Sequence, residues 1–257
     1  MIRALMQRIQ QKHRTVAWPK REPVLPDRLR GRPVIAPGLC AEDCRACAEA
    51  CPTGAVIRDN AGVRIDLGRC LFCAECAAVC PREGIRFTGE YRMAARTAAD
   101  LVLGTEEYRL AKALEDNSRK LFGRSLKLRQ VCAGGCGACE ADVNVLNTVV
   151  FDLGRFGIQF VASPRHADGL LITGPVPENM RLALLKTWEA TPAPKLVIAV
   201  GACACSGGPY IGHPEVHNGC AGLVPVDLFV PGCPPHPMTI LDGLVRLLGT
   251  AKLPRPA

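Results

Sequence analysis

From residue 126 onward, short apolar runs alternate with segments whose apolar residues recur every three or four positions. The runs at 126–131, 158–162, 170–173, 196–200 and 226–230 have strand length. The fourth, Leu-Val-Ile-Ala-Val, is continuously apolar, as a strand buried on both faces should be. Segments 141–150, 178–190 and 237–248 read as helices. The second ends before Pro192, and the third opens on Pro237, which suits a first helical position. Strands alternating with helices predict a parallel, doubly wound α/β sheet. Residues 89–125 mix charge with apolar residues at helical spacing over 92–103 and 106–121, punctuated by Gly104 and Gly123, and read as a helical connector. Residues 1–39 are basic and proline-rich (Pro19, Pro23, Pro26, Pro33, Pro37) and read as an extended arm. Within the arm Ile2, Leu5, Met6 and Ile9 allow one short amphipathic turn. The arm is either a solvated extension or a segment laid across a partner.

Between these parts, residues 40–88 contain two similar halves. Cys40, Cys44, Cys47 and Cys51-Pro52 are followed by Cys70, Cys73, Cys76 and Cys80-Pro81, an internal repeat of about 30 residues. Of 15 cysteines in the 257 residues, eight lie in this repeat and seven lie between Cys132 and Cys233. A secreted disulfide scaffold fits poorly. Such scaffolds are short, whereas this chain has Val/Ile/Leu-rich core segments, and its first residues, MIRALMQRIQQKHR, form no apolar signal core. Reduced thiols in that number point to metal or cluster ligation. No apolar run approaches the roughly 18 residues needed to span a bilayer. The chain is expected to be soluble and cytoplasmic, docking on a membrane only through partners.

The second half-repeat follows the C-x2-C-x2-C-x3-C-P pattern at every step, in which the fourth cysteine ligates the other cluster of a pair. The first half has one extra residue between Cys40 and Cys44. Cys40, Cys44, Cys47 and Cys80 are therefore assigned to one 4Fe–4S cluster, and Cys51, Cys70, Cys73 and Cys76 to a second. Zinc is the competing ligand, but tandem blocks of this kind with no histidine between them do not suit it.

The later cysteines are scattered in sequence and grouped by the predicted sheet. In a doubly wound sheet, ligands bind outside the carboxyl ends of the strands. Cys136 and Cys139 follow the 126–131 strand, Cys203 follows 196–200, and Cys233 follows 226–230. Four thiols at three strand ends suffice for a third 4Fe–4S cluster, and the neighbouring glycines let the backbone approach it. Cys132, Cys205 and Cys220 are left as small buried hydrophobes, with Cys205 also a possible substitute ligand or redox-active neighbour beside Cys203.

The formal charge is +8. Each oxidised cluster with four thiolates carries about −2, so three would leave roughly +2. With aromatics at 5% and no aromatic-interleaved basic patch, nucleic acid is not an expected partner.

Longer stretches carry a family resemblance. RGRPVIAPGLC, CPTGA and IDLGRCLFCAECAAVCP resemble the two-cluster ferredoxin subunit of membrane-bound nickel–iron hydrogenases and of complex I. FGRSLKLRQV, AGGCGACE, DLGRFGIQFVASPRHADGLLITGPV, GACACSGG and PVDLFVPGCPPHP resemble the small subunit of the same complexes. The resemblance implies an α+β two-cluster ferredoxin domain (40–88), preceded by the arm (1–39) and joined by the connector (89–125) to a flavodoxin-like α/β domain (126–257). It implies that Cys136, Cys139, Cys203 and Cys233 hold the cluster nearest a catalytic large subunit. Complex I has two adjacent cysteines at the first position, so the spacing of Cys136 and Cys139 favours the hydrogenase branch, of formate-hydrogenlyase or energy-converting type. Glu140 and Asp142 are candidates for an acidic residue near the large subunit, or are plain carboxylates at a helix start. Residues 154–157 and Pro164-Arg165-His166 match family segments near a partner surface, with His166 more simply structural. His236 beside Cys233 is a candidate for tuning a cluster by hydrogen bonding.

The expected function is electron relay, through three 4Fe–4S clusters, to or from a nickel-bearing large subunit. Membrane subunits and an electron-donating subunit are further expected partners, and the complex sits on the inner face of the cell membrane. The chain is part of an oxidoreductase and makes no bonds alone. The rival readings are a complex I-like quinone-linked oxidoreductase whose large subunit lacks nickel, a non-catalytic redox or gas sensor, and a free-standing polyferredoxin.

Overall fold

The computed structural model describes residues 2–36, 38–40, 44–59, 62–104, 108–114, 122 and 125–249. The arm opens with a helix, α1 (Ile2–Gln11), longer than the single amphipathic turn that Ile2, Leu5, Met6 and Ile9 led one to expect. The segment lacks glycine and proline, and its Ala, Leu, Met, Gln and Arg are strong helix formers. Beyond α1 the arm is fastened to the rest of the fold. The Thr15 hydroxyl donates to the Val149 carbonyl (2.8 Å) and the Val16 N–H to the Val150 carbonyl (2.9 Å). Trp18 is buried, donates its indole N–H to the Tyr91 hydroxyl (2.9 Å) and packs edge-on to Phe156. Arg155, which lies over the Phe156 ring, donates to the Trp18 carbonyl (3.0 Å). An indole both buried and hydrogen-bonded is a strong anchor.

The ferredoxin region is built of short pieces. Strand β1 (Pro33–Ile35) pairs antiparallel with β4 (Ile85–Phe87). Strands β2 (Val56–Asp59) and β3 (Gly62–Asp66) form an antiparallel pair, extended by β5 (Val102–Leu103). Helices α2 (Ala46–Glu49) and α3 (Glu75–Ala78) occupy equivalent places in the two half-repeats.

Residues 92–103 are not the helix that their spacing predicts. They hold an isolated antiparallel bridge between Ala95 and Phe229, a 3-10 turn at Ala99–Leu101, and β5. Ala95 and Phe229 exchange both backbone hydrogen bonds (3.0 and 2.8 Å), covering the edge of the main sheet. The apolar residues Met93, Ala94, Ala95 and Leu101 are all buried, so tertiary pairing overrides local helical preference. Of the expected helix at 106–121, residues 108–114 are not helical, and the rest lies outside the described residues.

The later region is a five-stranded parallel sheet of β6 (Leu126–Cys132), β7 (Ile158–Phe160), β8 (Gly169–Thr173), β9 (Leu196–Val200) and β10 (Leu228–Val230), in the order β10-β9-β8-β6-β7. This is the 2-1-3-4-5 order of flavodoxin-like folds, with its switch point between β6 and β8. Helices α4 (Ala138–Val145), α5 (Glu178–Ala190), α6 (Ala202–Ser206) and α7 (Pro237–Leu248) connect or flank the strands. Every residue of β8 and β9 is buried, because both faces are covered. Leu170, Ile172, Val197 and Ala199 pack in one core with Ile65, Leu101 and the ferredoxin cysteines. Leu171, Ile198 and Val200 pack in the other with Ile240, Leu244 and Leu248 of α7. The ferredoxin region thus covers one sheet face much as a helix layer would.

Candidate functional site

Cys40, Cys47 and Cys80 line one pocket and Cys51, Cys70, Cys73 and Cys76 another, while Cys136, Cys203 and Cys233 lie near Cys139 at a sheet edge. In the first set, Cys47 is buried on α2 and Cys80 follows α3. A pocket is lined by Cys40, Cys47 and Cys80 with Ile35, Val63 and Ile85. Burial pushes the Cys47 thiol up, and the Cys40, Cys80 and Cys44 thiols push it further. The Gly84 N–H donates to the Cys80 sulfur (3.2 Å). The extra residue of this half-repeat lies within 41–43, outside the described residues.

In the second set, a pocket is lined by Cys51, Cys70, Cys73 and Cys76, with Ile65 and Phe87. Burial raises the Cys70 thiol to about 12, and Cys76, Cys51 and Cys73 add to the rise. Cys76 rises to about 11 through burial and the thiols of Cys51 and Cys73. Cys51 goes the other way: burial raises it, but backbone N–H groups of Thr53, Val56 and Ala55 and the Thr53 hydroxyl outweigh that. Phe72 and Ala74, at φ +55° and +68°, curl the loop between Cys70 and Cys76 through the left-handed region. Side chains rarely adopt it unless their surroundings hold them there. The arm supplies one such hold, since Arg30 donates to the Cys73 carbonyl (2.7 Å).

The third set stands at the carboxyl edge of the parallel sheet. Cys136 lies in the loop after β6, Cys139 on α4, Cys203 on α6 after β9, and Cys233 after β10. Burial pushes Cys139 well up, with Cys203, Glu140, Cys233 and Cys136 adding to it. Burial also takes Cys203 to about 11, helped by Cys233, Cys136 and Glu140. Cys233 is raised by burial, then by Cys136 and by Cys73 of the second set. Glycines make the room here. A Cβ on Gly201 would stand 2.5 Å from the Cys139 sulfur, and one on Gly208 2.9 Å from the Cys203 sulfur.

The donor chemistry is uniform: three sets of four soft sulfurs, without histidine. Among the described residues, no group of three or more His, Cys, Asp or Glu converges tightly enough to hold a single metal ion. A tetrahedral zinc would draw its sulfurs to about 2.3 Å from one point. Four soft sulfurs in each set are the donor chemistry of an iron–sulfur cluster. Mutual repulsion of buried thiolates is what a bound cationic iron core relieves.

The other candidate residues divide. Cys205 and Cys220 are buried, and burial pushes both thiols up, Cys220 to about 12. Cys132 is exposed at the end of β6, contrary to the expected buried position. Strand β6 runs out there at the switch point, and the Cys132 thiol and the Thr173 hydroxyl both hydrogen-bond to Glu140. Burial raises the Glu140 carboxyl, but those two bonds bring it below its ordinary value; burial raises Asp142. His236 caps α7, its Nδ1 accepting from the Met238 N–H (3.1 Å), and burial lowers its imidazole. Arg155 of the 154–157 segment grips the arm through Trp18. His166 sits exposed in a 3-10 turn.

Sequence reading missed Ser206, whose hydroxyl donates to the Gly68 carbonyl (2.8 Å) and ties the Cys203 helix to the loop before Cys70. It also missed Thr173 and Arg30. No local spacing signals any of the three, because each acts across the fold.

Comparison with known proteins agrees with this division. Residues 39–85 match the 4Fe-4S dicluster domain, and residues 136–247 match the NADH ubiquinone oxidoreductase 20 kDa subunit. Formate hydrogenlyase subunit 7 of Escherichia coli (strain K12) is 44% identical over 130 residues, 51% of each chain. The probable membrane-bound hydrogenase subunit mbhJ of Pyrococcus furiosus is 43% identical over 129 residues, 50% of this chain and 77% of that protein. An NADH-quinone oxidoreductase subunit of Heliobacterium modesticaldum is 40% identical over 126 residues, 49% of this chain and 71% of that protein. The chain thus spans about half the length of the first of these relatives (51%) and most of the other two.

Proposed function

The chain belongs to the family of the NADH ubiquinone oxidoreductase 20 kDa subunit, and on that premise we propose that it is the iron–sulfur electron-transfer subunit of a complex I-like hydrogenase. Cys40, Cys44, Cys47 and Cys80 are assigned to one 4Fe–4S cluster, Cys51, Cys70, Cys73 and Cys76 to a second, and Cys136, Cys139, Cys203 and Cys233 to a third. Such clusters, when bound, take up and release single electrons.

The chain's own residues set position and environment. The observation that supports the reading is the Ser206–Gly68 hydrogen bond (2.8 Å), which joins the Cys203 helix to the loop before Cys70, with Cys73 near enough to Cys233 to raise its thiol. Cys40 of the first set is exposed. The thiol sets therefore run in order from an exposed ferredoxin end, through the second set, to the edge of the parallel sheet. N–H groups aimed at Cys51, Cys70 and Cys80 stabilise negative charge on those sulfurs. Ser206 and Arg30 keep the second set's loop in place against the sheet and the arm.

The proposed partners are a nickel-bearing large subunit docked at the third set, membrane subunits that hold the complex at the cell membrane's inner face, and an electron-donating subunit at the first set. The spacing of Cys136 and Cys139 and the two hydrogen-linked relatives favour the hydrogenase branch. The likeness to an NADH-quinone oxidoreductase subunit favours a second reading, a quinone-linked complex whose large subunit lacks nickel. The test is to purify the native complex through a tag on this chain and assay nickel and hydrogen-dependent viologen reduction. Nickel with activity supports the hydrogenase; a large subunit without either supports the quinone-linked complex.

A further inference from the structure

Among the described α-helices, α1 alone buries no residue. At 3.6 residues per turn its apolar residues Ile2, Leu5, Met6 and Ile9 fall within an arc of roughly 100°. All four are bare, at 71%, 63%, 58% and 68% exposure. A face so well segregated, and left exposed by the described residues of its own fold, is a face for something else.

Charge identifies the occupant. Arg3 and Arg8 flank the apolar arc, each about 110° from its centre. Arg8 also donates to the Lys12 carbonyl (2.9 Å), closing the helix end. Arg3, Arg8, Lys12, Arg14, Lys20 and Arg21 precede Glu22, and no acidic residue stands before it. A short helix with aliphatic side chains on one face, arginines on its shoulders and no carboxylates suits an anionic lipid headgroup layer, in which the aliphatics enter the acyl boundary and the cations meet phosphates.

Thr15 and Val16, just past α1, are hydrogen-bonded to Val149 and Val150. Val149 and Val150, with Val145, are large exposed hydrophobics of the parallel-sheet region. Exposed valines thus stand on the body where the arm that carries α1 is fastened, and Trp18 anchors that junction.

We propose that α1 lies in the plane of an anionic membrane surface and gives this chain a lipid contact of its own, besides any tether through partner subunits. The contact does not depend on electron transfer, so the two readings fail separately.

The test uses the full chain with its clusters loaded, floated with vesicles of phosphatidylcholine alone or of phosphatidylcholine with phosphatidylglycerol. Binding to the anionic vesicles should exceed binding to the neutral ones by at least about tenfold, and the excess should fade as salt is raised. The double variant Leu5→Glu/Ile9→Glu should lower anionic binding at least about tenfold, with cluster absorbance unchanged as the control for folding. Equal binding to both vesicle types, binding to neither, or an unaffected double variant overturns the proposal. In native membranes, a photo-crosslinking residue in place of Met6 should give lipid adducts. A protein adduct there would make a partner subunit the occupant and overturn it as well.

Discussion

Replacing Gly201 with alanine should remove the third cluster and leave the other two. Gly201 has φ +89°, and its Cβ would stand 2.5 Å from the Cys139 sulfur. Ordinary contact lies near 3.5–4 Å, so the thiol or the turn must retreat by roughly 1 Å. The turn is poorly placed to yield. The Gly201 N–H donates to the Val230 carbonyl (2.8 Å), the Ala202 N–H to the Gly232 carbonyl (2.8 Å), and the Gly201 carbonyl accepts from Cys205 (3.0 Å). The ligand therefore moves. At φ +89° and ψ 155° the backbone is in a region essentially confined to glycine, which costs alanine on the order of 1–3 kcal/mol in addition. Gly212 supplies the control, because it has φ +80° and nothing within 4 Å of a Cβ. Gly212→Ala also places a side chain at positive φ but without the contact. Iron and acid-labile sulfide per chain, with spectra of the reduced protein, read the result. Gly201→Ala should fall by about four iron atoms per chain, and Gly212→Ala should keep its full complement. A full complement in Gly201→Ala, or an equal loss in Gly212→Ala, would refute the reasoning.

Cysteine variants should sort by set. Cys203→Ser should lose about four iron atoms per chain, as should Cys73→Ser, whereas Cys132→Ser and Cys220→Ser should lose none, by the same iron count. Trp18→Ala should destabilise the cluster-loaded chain by about 3–5 kcal/mol in chemical denaturation, because a buried, hydrogen-bonded ring leaves a cavity. Protease cleavage in the arm should rise with it. Removing iron with a reductant and chelator should strip hydrogen-exchange protection from 44–80, where Cys47, Cys70 and Cys76 are part of the core. Protection of β8 and β9 should persist.

What the sequence made legible follows from how local each signal is. Strands β8 and β9 show as continuous apolar runs because both their faces are covered, and helices 178–190 and 237–248 appear with the boundaries read from pattern and proline. Short spacings are what group the first two proposed thiol sets, whereas the third can be grouped only after the strand ends have been placed. Helix α6 was missed because five residues span too little to show a period. The 92–103 segment was misread because its apolar spacing serves a bridge to Phe229. The anchoring of the arm was invisible for a different reason: Trp18, Tyr91 and Arg155 are far apart in sequence and meet only in the folded chain. The exposed position of Cys132 depends on where β6 ends relative to Thr173 and Glu140, which no spacing encodes.

The central claim is that three sets of four thiols hold three cubane clusters. Mössbauer spectroscopy of the full chain, isolated anaerobically with iron-57, tests it most directly when set beside the iron count. The expected result is about twelve iron atoms per chain, all in 4Fe–4S clusters. About eight iron atoms with the 136–233 cysteines unligated, or zinc in place of iron at any set, would contradict it.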